Sequence, residues 1–311
     1  MPFPIEKKLV IGIASSALFD LTDSDRVFRE EGEESYRKYQ ESHLDDLLEK
    51  GVAFPFIRRF LNLNKHFPEL EPVEVVLLSR NSPETGLRVF RSIQKYGLNI
   101  SRAAFFSGSS PFKYNEAFNL SLFLSANKED VQNAVASGFP SGLVLKTSIV
   151  DDEADNELRI AFDFDGVIAD DEAEKVYQET GSLDAFQNLE TQKKQEPHHG
   201  GPLSGLFQRI AYYQKLETEL HRDDHSYRKM LKIAIITARN APSHERMVNT
   251  LKSWGISVDE AFFLGGIEKR RVLEVMKPHI FFDDQTIHLN RIDNIPMVHI
   301  PFGVTNLKKE F

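Results

Sequence analysis

Hydrophobic and polar positions follow one another along the chain in a pattern that occurs twice. Short apolar runs of strand length, such as 75–78 and 233–236, are each followed by a stretch in which apolar residues recur at helical spacing. One such stretch runs from Met247 to Trp254, and Gly255 is placed to end the helix. Strands that alternate with helices in this way predict βαβ units and a mostly parallel sheet.

The two occurrences of the pattern keep a nearly constant separation. Matched positions lie 157 or 158 residues apart over about 50 positions, a register that is hard to obtain by chance. The matched segments are 75–83 with 233–242, 96–97 with 254–255, 104–106 with 261–263, and 122–125 with 280–283. The sequence therefore predicts an α/β protein made of two Rossmann-like parallel-sheet halves that arose by internal duplication.

The duplication divides the chain at 1–150 and 151–311. We interpret the acidic run 151–157 as the surface connection between two units, although a solvated loop inside one domain has the same composition. The second half contains a helical insertion at about 170–230, in which 204–221 is predicted to be a helix and the Pro- and Gly-rich segment 197–202 a hinge or lid. In the first half, 24–40 is predicted to be a helix.

Composition narrows the function classes. The chain has 311 residues, with 47 acidic and 38 basic residues and a formal net charge of −9. An acidic surface repels a polyanion, so we expect no broad binding to duplex nucleic acid. The absence of cysteine excludes disulfides, thiolate zinc sites and thiol nucleophiles, and it fits a reducing compartment.

One segment imitates the start of a secretory leader. Lys7-Lys8 precedes the apolar run 9–19, but this run continues into Asp20 without a small-residue cleavage site and alternates like a buried strand. Elsewhere no run approaches the ~18–20 apolar residues of a membrane span. We therefore expect a cytoplasmic protein with no membrane partner, and homo-oligomerisation is left open.

Carboxylates follow an apolar strand at the start of the second half. Asp163 and Asp165 are two positions apart, so they project to the same side of the strand end, and Gly166 permits a sharp turn directly afterwards. Ligands of open parallel sheets bind at such carboxyl ends. Two adjacent carboxylates repel each other unless a cation or a shared proton compensates, and Mg²⁺ is the natural cation in a site that also takes phosphate.

Three further features follow in order along the second half. Thr237 ends one predicted strand, Lys269 begins a helix, and the pair Asp283-Asp284 ends another strand. A lone Asp-x-Asp-Gly is also typical of a turn or a calcium loop, a threonine can cap a strand, and a basic cluster can be a solvated helix face. The occurrence of all of them at strand or helix ends favours one phosphate and cation site.

This order resembles the haloacid dehalogenase superfamily of phosphatases, and more closely the cytosolic 5′-nucleotidase type I family. The resemblance runs through both halves and is most specific in Leu-Lys-Ser-Trp-Gly at 251–255 and Pro-His-Ile-Phe-Phe-Asp-Asp-Gln at 278–285. One departure is Asp-Phe-Asp-Gly-Val at 163–167, where animal members of the family read Asp-Gly-Asp-Ala-Val. The pair of aspartates is kept, so the chemistry is expected to persist, whereas nucleotide preference need not.

The resemblance implies roles for each motif residue. Asp163 would be the nucleophile toward phosphorus, and Asp165 would protonate the leaving oxygen and then activate water. Thr237 would bind a phosphoryl oxygen, and Lys269 would neutralise phosphate charge and hold Asp163 ionised. The Mg²⁺ ligands would be Asp163, the backbone carbonyl of Asp165, and Asp283, with Asp284 in an outer position or sharing the role.

The first half lacks these carboxylates. Positions near Ala14 and Ser16 replace the first pair, and Ser125 and Ala126 replace the second, so one active centre per chain is expected. We hypothesise that the first half closes over the nucleoside with Phe54, Phe56, Arg80 or Asn81; packing of its own core explains each of these residues equally well. Arg239 is a further candidate for substrate binding, although its counterpart Arg80 in the first half indicates a structural role.

The histidines show no spacing that is typical of a metal or cofactor site. The pair His198-His199 is interpreted as an exposed loop pair, and the remaining histidines show no ligand spacing.

The leading interpretation is a Mg²⁺-dependent 5′-nucleotidase that hydrolyses AMP- or IMP-like nucleoside monophosphates through an aspartyl-phosphate. The alternatives are a phosphatase for sugar phosphates or another small phosphometabolite, and a non-catalytic nucleotide-binding protein.

Overall fold

The computed structural model describes residues 3–290 and 292–306. The chain divides into two compact units, Met1–Asp151 and Asp152–Phe311, one residue from the boundary predicted from the sequence. Both units are mixed α/β, with mostly parallel strands as predicted.

The sheet of the first unit has five parallel strands in the order β7-β6-β1-β4-β5 within the described residues. The central strand β4 is buried along its whole length, as expected for a parallel strand covered on both faces. A short antiparallel pair, β2 with β3, lies outside this sheet. The strands are β1 (Leu9–Ile13), β2 (Phe19–Asp20), β3 (Glu49–Lys50), β4 (Val73–Ser79), β5 (Arg102–Phe105), β6 (Leu122–Ser125) and β7 (Ser141–Val144).

Helices connect the strands of the first unit. They are α1 (Ser15–Leu18), α2 (Thr22–Glu31), α3 (Glu33–Ser42), α4 (Phe54–Asn62), α5 (Leu87–Lys95) and α6 (Lys128–Ala136), with 3₁₀ turns at Ile5–Lys7, Leu63–His66 and Phe112–Tyr114. The single helix predicted over 24–40 is wrong, because Gly32 has a φ of +85° and separates α2 from α3. A glycine tolerates this conformation, and the helical periodicity continues on both sides of it.

The sheet of the second unit repeats the strand order of the first. Its five described parallel strands run β10-β9-β8-β11-β12. They are β8 (Leu158–Phe162), β9 (Leu231–Thr237), β10 (Glu260–Phe263), β11 (Ile280–Asp283) and β12 (Met297–His299). Its helices are α7 (Glu172–Thr180), α8 (Leu183–Gln192), α9 (Ser204–Asp223), α10 (His244–Ser253), α11 (Lys269–Met276) and α12 (Thr286–Leu289).

The predicted insertion corresponds to α7, α8 and α9, which lie between β8 and β9. The segment 197–202, predicted to be a hinge or lid, is packed in part, since His198 is buried whereas Pro197, His199 and Gly200 are exposed. Gly201 N donates a hydrogen bond of 2.8 Å to Ile168 O, and a side chain at Gly201 would begin 2.2 Å from the carbonyl oxygen of Ala169. The glycine thus allows two backbone segments to approach each other closely.

The acidic run between the units is paired rather than simply solvated. The Asp151 side chain is 4% exposed and accepts a hydrogen bond of 2.6 Å from Arg59 and two of 3.2 Å from Arg58. Asp155 and Glu157 each lie 2.8 Å from the Arg159 guanidinium. Among the described residues, no helix combines the length and the apolar character that crossing a membrane requires.

Candidate active site

The functional candidates of the second unit meet at the carboxyl ends of three adjacent strands. Asp163 directly follows β8, Thr237 ends β9 and Asp283 ends β11. Strand β8 lies between the other two in the sheet, and Asp163 N donates a hydrogen bond of 2.8 Å to Phe282 O. The parallel arrangement therefore brings residues that are far apart in sequence to one edge.

A lysine connects two buried carboxylates at this edge. Lys269 Nζ lies 2.8 Å from Asp163 Oδ2 and 2.7 Å from Asp283 Oδ2. Burial lowers the pKa of Lys269, but the charges of Asp163 and Asp283 raise it by more, so the ammonium is charged. Burial also raises the pKa of Asp163, although the Lys269 charge opposes this shift.

Asp284 is the third carboxylate of the cluster. Its Oδ2 accepts a hydrogen bond of 2.8 Å from Thr305, whereas its buried Oδ1 has no hydrogen-bond partner. Burial, together with the charges of Asp163 and Asp283, raises the pKa of Asp284 to about 9. Gly166 has a φ of +71°, and a Cβ there would lie 2.8 Å from Asp284 Cγ, so glycine allows the turn to approach this carboxyl group.

The three carboxylates fit a divalent cation. One oxygen each from Asp163, Asp283 and Asp284 lies within 4.8 Å of the others. When ionised they carry three negative charges, and Lys269 compensates only one of them. Carboxylate oxygens are the preferred ligands of Mg²⁺, and the unpartnered Asp284 Oδ1 offers one. These three carboxylates therefore suit a hard divalent cation.

Asp165 is held by an arginine rather than by the carboxylate cluster. Arg239 donates from Nε to Asp165 Oδ2 at 2.8 Å and from Nη2 to Oδ1 at 2.6 Å. Such a two-point contact fixes the plane of the carboxylate. Arg239 N also donates to Thr237 Oγ1 at 3.2 Å, so the loop after β9 positions both the hydroxyl group and the arginine.

The rest of Arg239 belongs to a buried network that sequence reasoning missed. Arg239 Nη1 also binds Glu190 Oε2, and Arg246 Nη1 donates to Glu190 Oε1 at 2.9 Å. Burial raises the pKa of Glu190, but the hydrogen bond from His198 and the charge of Arg239 lower it to about 2. The interpretation of His198 as exposed is wrong: it is 3% exposed and lies 3.3 Å from Glu190, whereas His199 is exposed.

Comparison with known proteins identifies the family. The 5′-nucleotidase family model matches residues 1–307. The chain belongs to the 5′-nucleotidase family. It is 33% identical over 296 residues to cytosolic 5′-nucleotidase 1B of Homo sapiens. This alignment covers 93% of the chain and 48% of the human protein. The chain thus spans about half the length of this curated relative, and no solved structure matches it.

The candidates in the first unit stay predictions. The matched family model and the human relative are both named 5′-nucleotidases, and because the chain spans about half the length of that relative, its own activity is a proposal. Phe54 and Phe56 are 1% and 2% exposed in the core of the first unit, where Phe54 contacts Phe19 and Tyr96. Their predicted contact with substrate stays a prediction, as do the roles of the strand-end residues in catalysis.

The metal-free protein should lose stability as pH rises. The pKa of Asp284 is about 9 in the folded state and 3.8 in a model peptide, so the folded state binds more protons between these values. We expect the Tm without metal to fall from pH 5 to pH 9. Mg²⁺ should restore the stability, because at 100 times its Kd it adds about 2.7 kcal/mol to the free energy of unfolding. Asp284→Asn should flatten the pH dependence and remove most of the Mg²⁺ effect.

Thermal unfolding in EDTA and in Mg²⁺ across this pH range measures both effects. Asp184→Asn is the matched control, because Asp184 is an exposed carboxylate in the first turn of α8. An equal Mg²⁺ effect in the wild type and in Asp284→Asn would contradict the assignment of Asp284 to the cation site.

Proposed function

We propose that the protein is a Mg²⁺-dependent 5′-nucleotidase that hydrolyses nucleoside 5′-monophosphates to nucleoside and phosphate through an aspartyl-phosphate. The observation that carries the proposal is the contact of Lys269 with both Asp163 and Asp283 at one sheet edge, next to Asp284. The family match and the name of the human relative support the substrate class. The order of motifs along the chain supports a scaffold of the haloacid dehalogenase type.

Asp163 is the proposed nucleophile. Its Oδ1 accepts a hydrogen bond of 2.7 Å from Phe164 N, and Lys269 holds Oδ2 at 2.8 Å. These contacts orient the carboxylate and favour its ionised form, which attack on phosphorus requires. The same ammonium group would offset negative charge on the phosphoryl group during transfer.

Asp165 is the proposed acid and base. Arg239 fixes its carboxylate with two hydrogen bonds while the Asp165 side chain remains 15% exposed, so a leaving oxygen or a water molecule can approach. The donors of Arg239 are engaged by protein groups, which favours a positioning role over direct substrate binding. Thr237, which is 1% exposed, would donate its hydroxyl hydrogen to a phosphoryl oxygen.

Mg²⁺ would be held by Asp163 and Asp283, with Asp284 and the backbone carbonyl of Asp165 as further ligands. When bound, the cation would neutralise charge on the carboxylates and on the phosphate. The chain's own residues account for the remaining steps, since Asp163 attacks, Asp165 moves the proton, and Lys269 with Thr237 holds the phosphoryl oxygens.

The first unit is proposed to be a degenerate copy of the catalytic unit. The shared strand order supports this origin, and so does the register. Ile13 pairs with Leu77 and Leu124 in the first unit, as Phe162 pairs with Ile235 and Phe282 in the second. By this register Ala14, Ser16, Ser79 and Ser125 stand where the second unit has Asp163, Asp165, Thr237 and Asp283.

A substrate panel tests the proposed function. Phosphate release is measured with AMP, IMP, UMP, dCMP and sugar phosphates, each with Mg²⁺ and with EDTA. We expect Mg²⁺-dependent turnover of nucleoside monophosphates that exceeds the turnover of sugar phosphates. A preference for a sugar phosphate would show that the substrate is a sugar phosphate and not a nucleoside monophosphate. The absence of turnover with every compound would support a non-catalytic binding protein instead.

A further inference from the structure

The first unit contains a large cavity at the carboxyl ends of its strands. Its volume is about 930 Å³, within the range of small-molecule sites. It is lined by residues that lie one to three positions after the end of each of the five strands of the main sheet, namely Ser16, Arg80, Ser107, Ala126 and Lys146. The cavity thus lies where the second unit has its carboxylate cluster, at the edge that binds ligands in open parallel sheets.

The cavity lacks the groups that would hold a cation. Ser16 and Ala126, which correspond to Asp165 and Asp284, are among its lining residues. Ser125, the counterpart of Asp283, is fully buried, and the described residues show no metal-binding cluster there. A phosphate group in this cavity would therefore meet neither the cation nor the nucleophile that the proposed hydrolysis requires.

The charge of the lining favours an anion. Among the described residues, six lining side chains are basic and three are acidic. The basic side chains are Arg29, Arg37, Lys50, Arg80, Lys128 and Lys146, and the acidic ones are Asp20, Asp25 and Glu33.

Two of these lysines are available to a ligand. Lys128 and Lys146 are exposed and form no ion pair within the described part of the chain. Lys146 donates to Thr22 Oγ1 at 3.2 Å, and the hydrogen bond from Thr22 together with the Lys146 charge lowers the pKa of Asp20. Arg80 is paired with Asp130 at 2.5 Å and Arg37 with Glu33 at 2.9 Å. Lys128 and Lys146 therefore supply the positive charge for an anion in this otherwise acidic protein, whose net charge is −9.

Aromatic side chains line the same cavity. Phe28 is 51% exposed, and its ring meets that of Tyr36 edge to face at a centroid distance of 5.6 Å. Tyr36 donates a hydrogen bond of 3.2 Å to Asn81 Oδ1, which fixes the phenol ring at the cavity wall. An exposed aromatic ring beside basic side chains provides a stacking face for a planar base together with partners for phosphate.

We propose that the cavity of the first unit binds a nucleotide without metal and without hydrolysing it. The phosphate lies toward Lys128 and Lys146, and the base lies against Phe28 and Tyr36. This second nucleotide site goes beyond the proposed function, since it depends on the first unit alone and stands whether or not the second unit hydrolyses nucleotides.

Equilibrium dialysis with radiolabelled AMP tests this site in the full chain. The protein carries Asp163→Asn and is kept in EDTA, which stops hydrolysis and removes divalent cations from the second unit. We expect one AMP per chain. Lys128→Glu with Lys146→Glu should weaken binding by at least about tenfold, because two attractive charges become repulsive.

The matched control is Lys7→Glu with Lys113→Glu, two exposed lysines of the first unit that do not line the cavity. It changes net charge equally and should leave the Kd unchanged. No AMP bound, equal weakening in both double variants, or unaltered binding in Lys128→Glu with Lys146→Glu would overturn the proposal. Circular dichroism verifies folding, and phosphate release by the wild type with Mg²⁺ tests the proposed function separately.

Discussion

Asp163→Asn is expected to reduce phosphate release from a nucleoside monophosphate by about four orders of magnitude or more. An amide is a very poor nucleophile, and without attack by the protein the reaction reverts toward uncatalysed hydrolysis, which is among the slowest reactions known. Folding should persist, because the substitution keeps the shape of the side chain and removes one of three buried carboxylates around a single lysine.

The comparison variant is Asp184→Asn, which makes the same change at an exposed position of α8 and should retain full activity. Initial rates with AMP and Mg²⁺ are measured for both variants, and mass spectrometry excludes deamidation of the new asparagine. Turnover of Asp163→Asn within tenfold of the wild type would assign the nucleophile to another group.

The fold follows from sequence where the hydrophobic pattern is continuous. Strands such as β4 and β9 are long apolar runs, and their burial on both faces leaves little freedom in where they lie. The single helix predicted over 24–40 was wrong, because Gly32 ends one helix at a positive φ. Gly201, in the segment predicted to be a hinge or lid, permits a close backbone approach, and glycine in a sequence does not distinguish these uses from flexibility.

The part of the candidate site that lies at the ends of strands was predictable from the sequence. Asp163, Lys269, Asp283 and Asp284 meet as their motif order indicates, because parallel strands expose their carboxyl ends at one edge. The network of Arg239 with Glu190 and His198 was not predictable, because Glu190 and His198 come from the insertion between β8 and β9. Helical periodicity does not define how an insertion docks, and a glutamate on a polar helix gives no sign of burial.

The cluster and the network share one electrostatic principle. Each buried carboxylate stays ionised only where a cation offsets the cost of burial. Glu190 has two arginines and a histidine, and its pKa falls to about 2; Asp284 lacks such a partner, and its pKa rises to about 9. The protein's own cations therefore compensate Glu190 but not Asp284, and the proposed cation site depends on this difference.

Lys269→Met should destabilise the metal-free protein by about 3–5 kcal/mol, the cost of leaving buried charges without a partner. The Lys269 side chain is 2% exposed and its ammonium group binds both Asp163 and Asp283. Its removal therefore forces these carboxylates to take up protons, or the site unfolds. Urea denaturation in EDTA measures the change. The exposed neighbour Arg270, which pairs with Glu274, gives the control Arg270→Met, whose unfolding midpoint should be unchanged.

Combining Lys269→Met with Asp283→Asn separates charge from packing. If unpaired charge causes the instability, the double variant should be more stable than Lys269→Met alone, since one of the two stranded carboxylates is gone. Lys269→Met as stable as the wild type, or a double variant less stable than either single one, would show that the lysine does not compensate the carboxylates. The carboxylate cluster would then owe its burial to some other cation, and the proposed role of Lys269 in holding Asp163 ionised would fail with it.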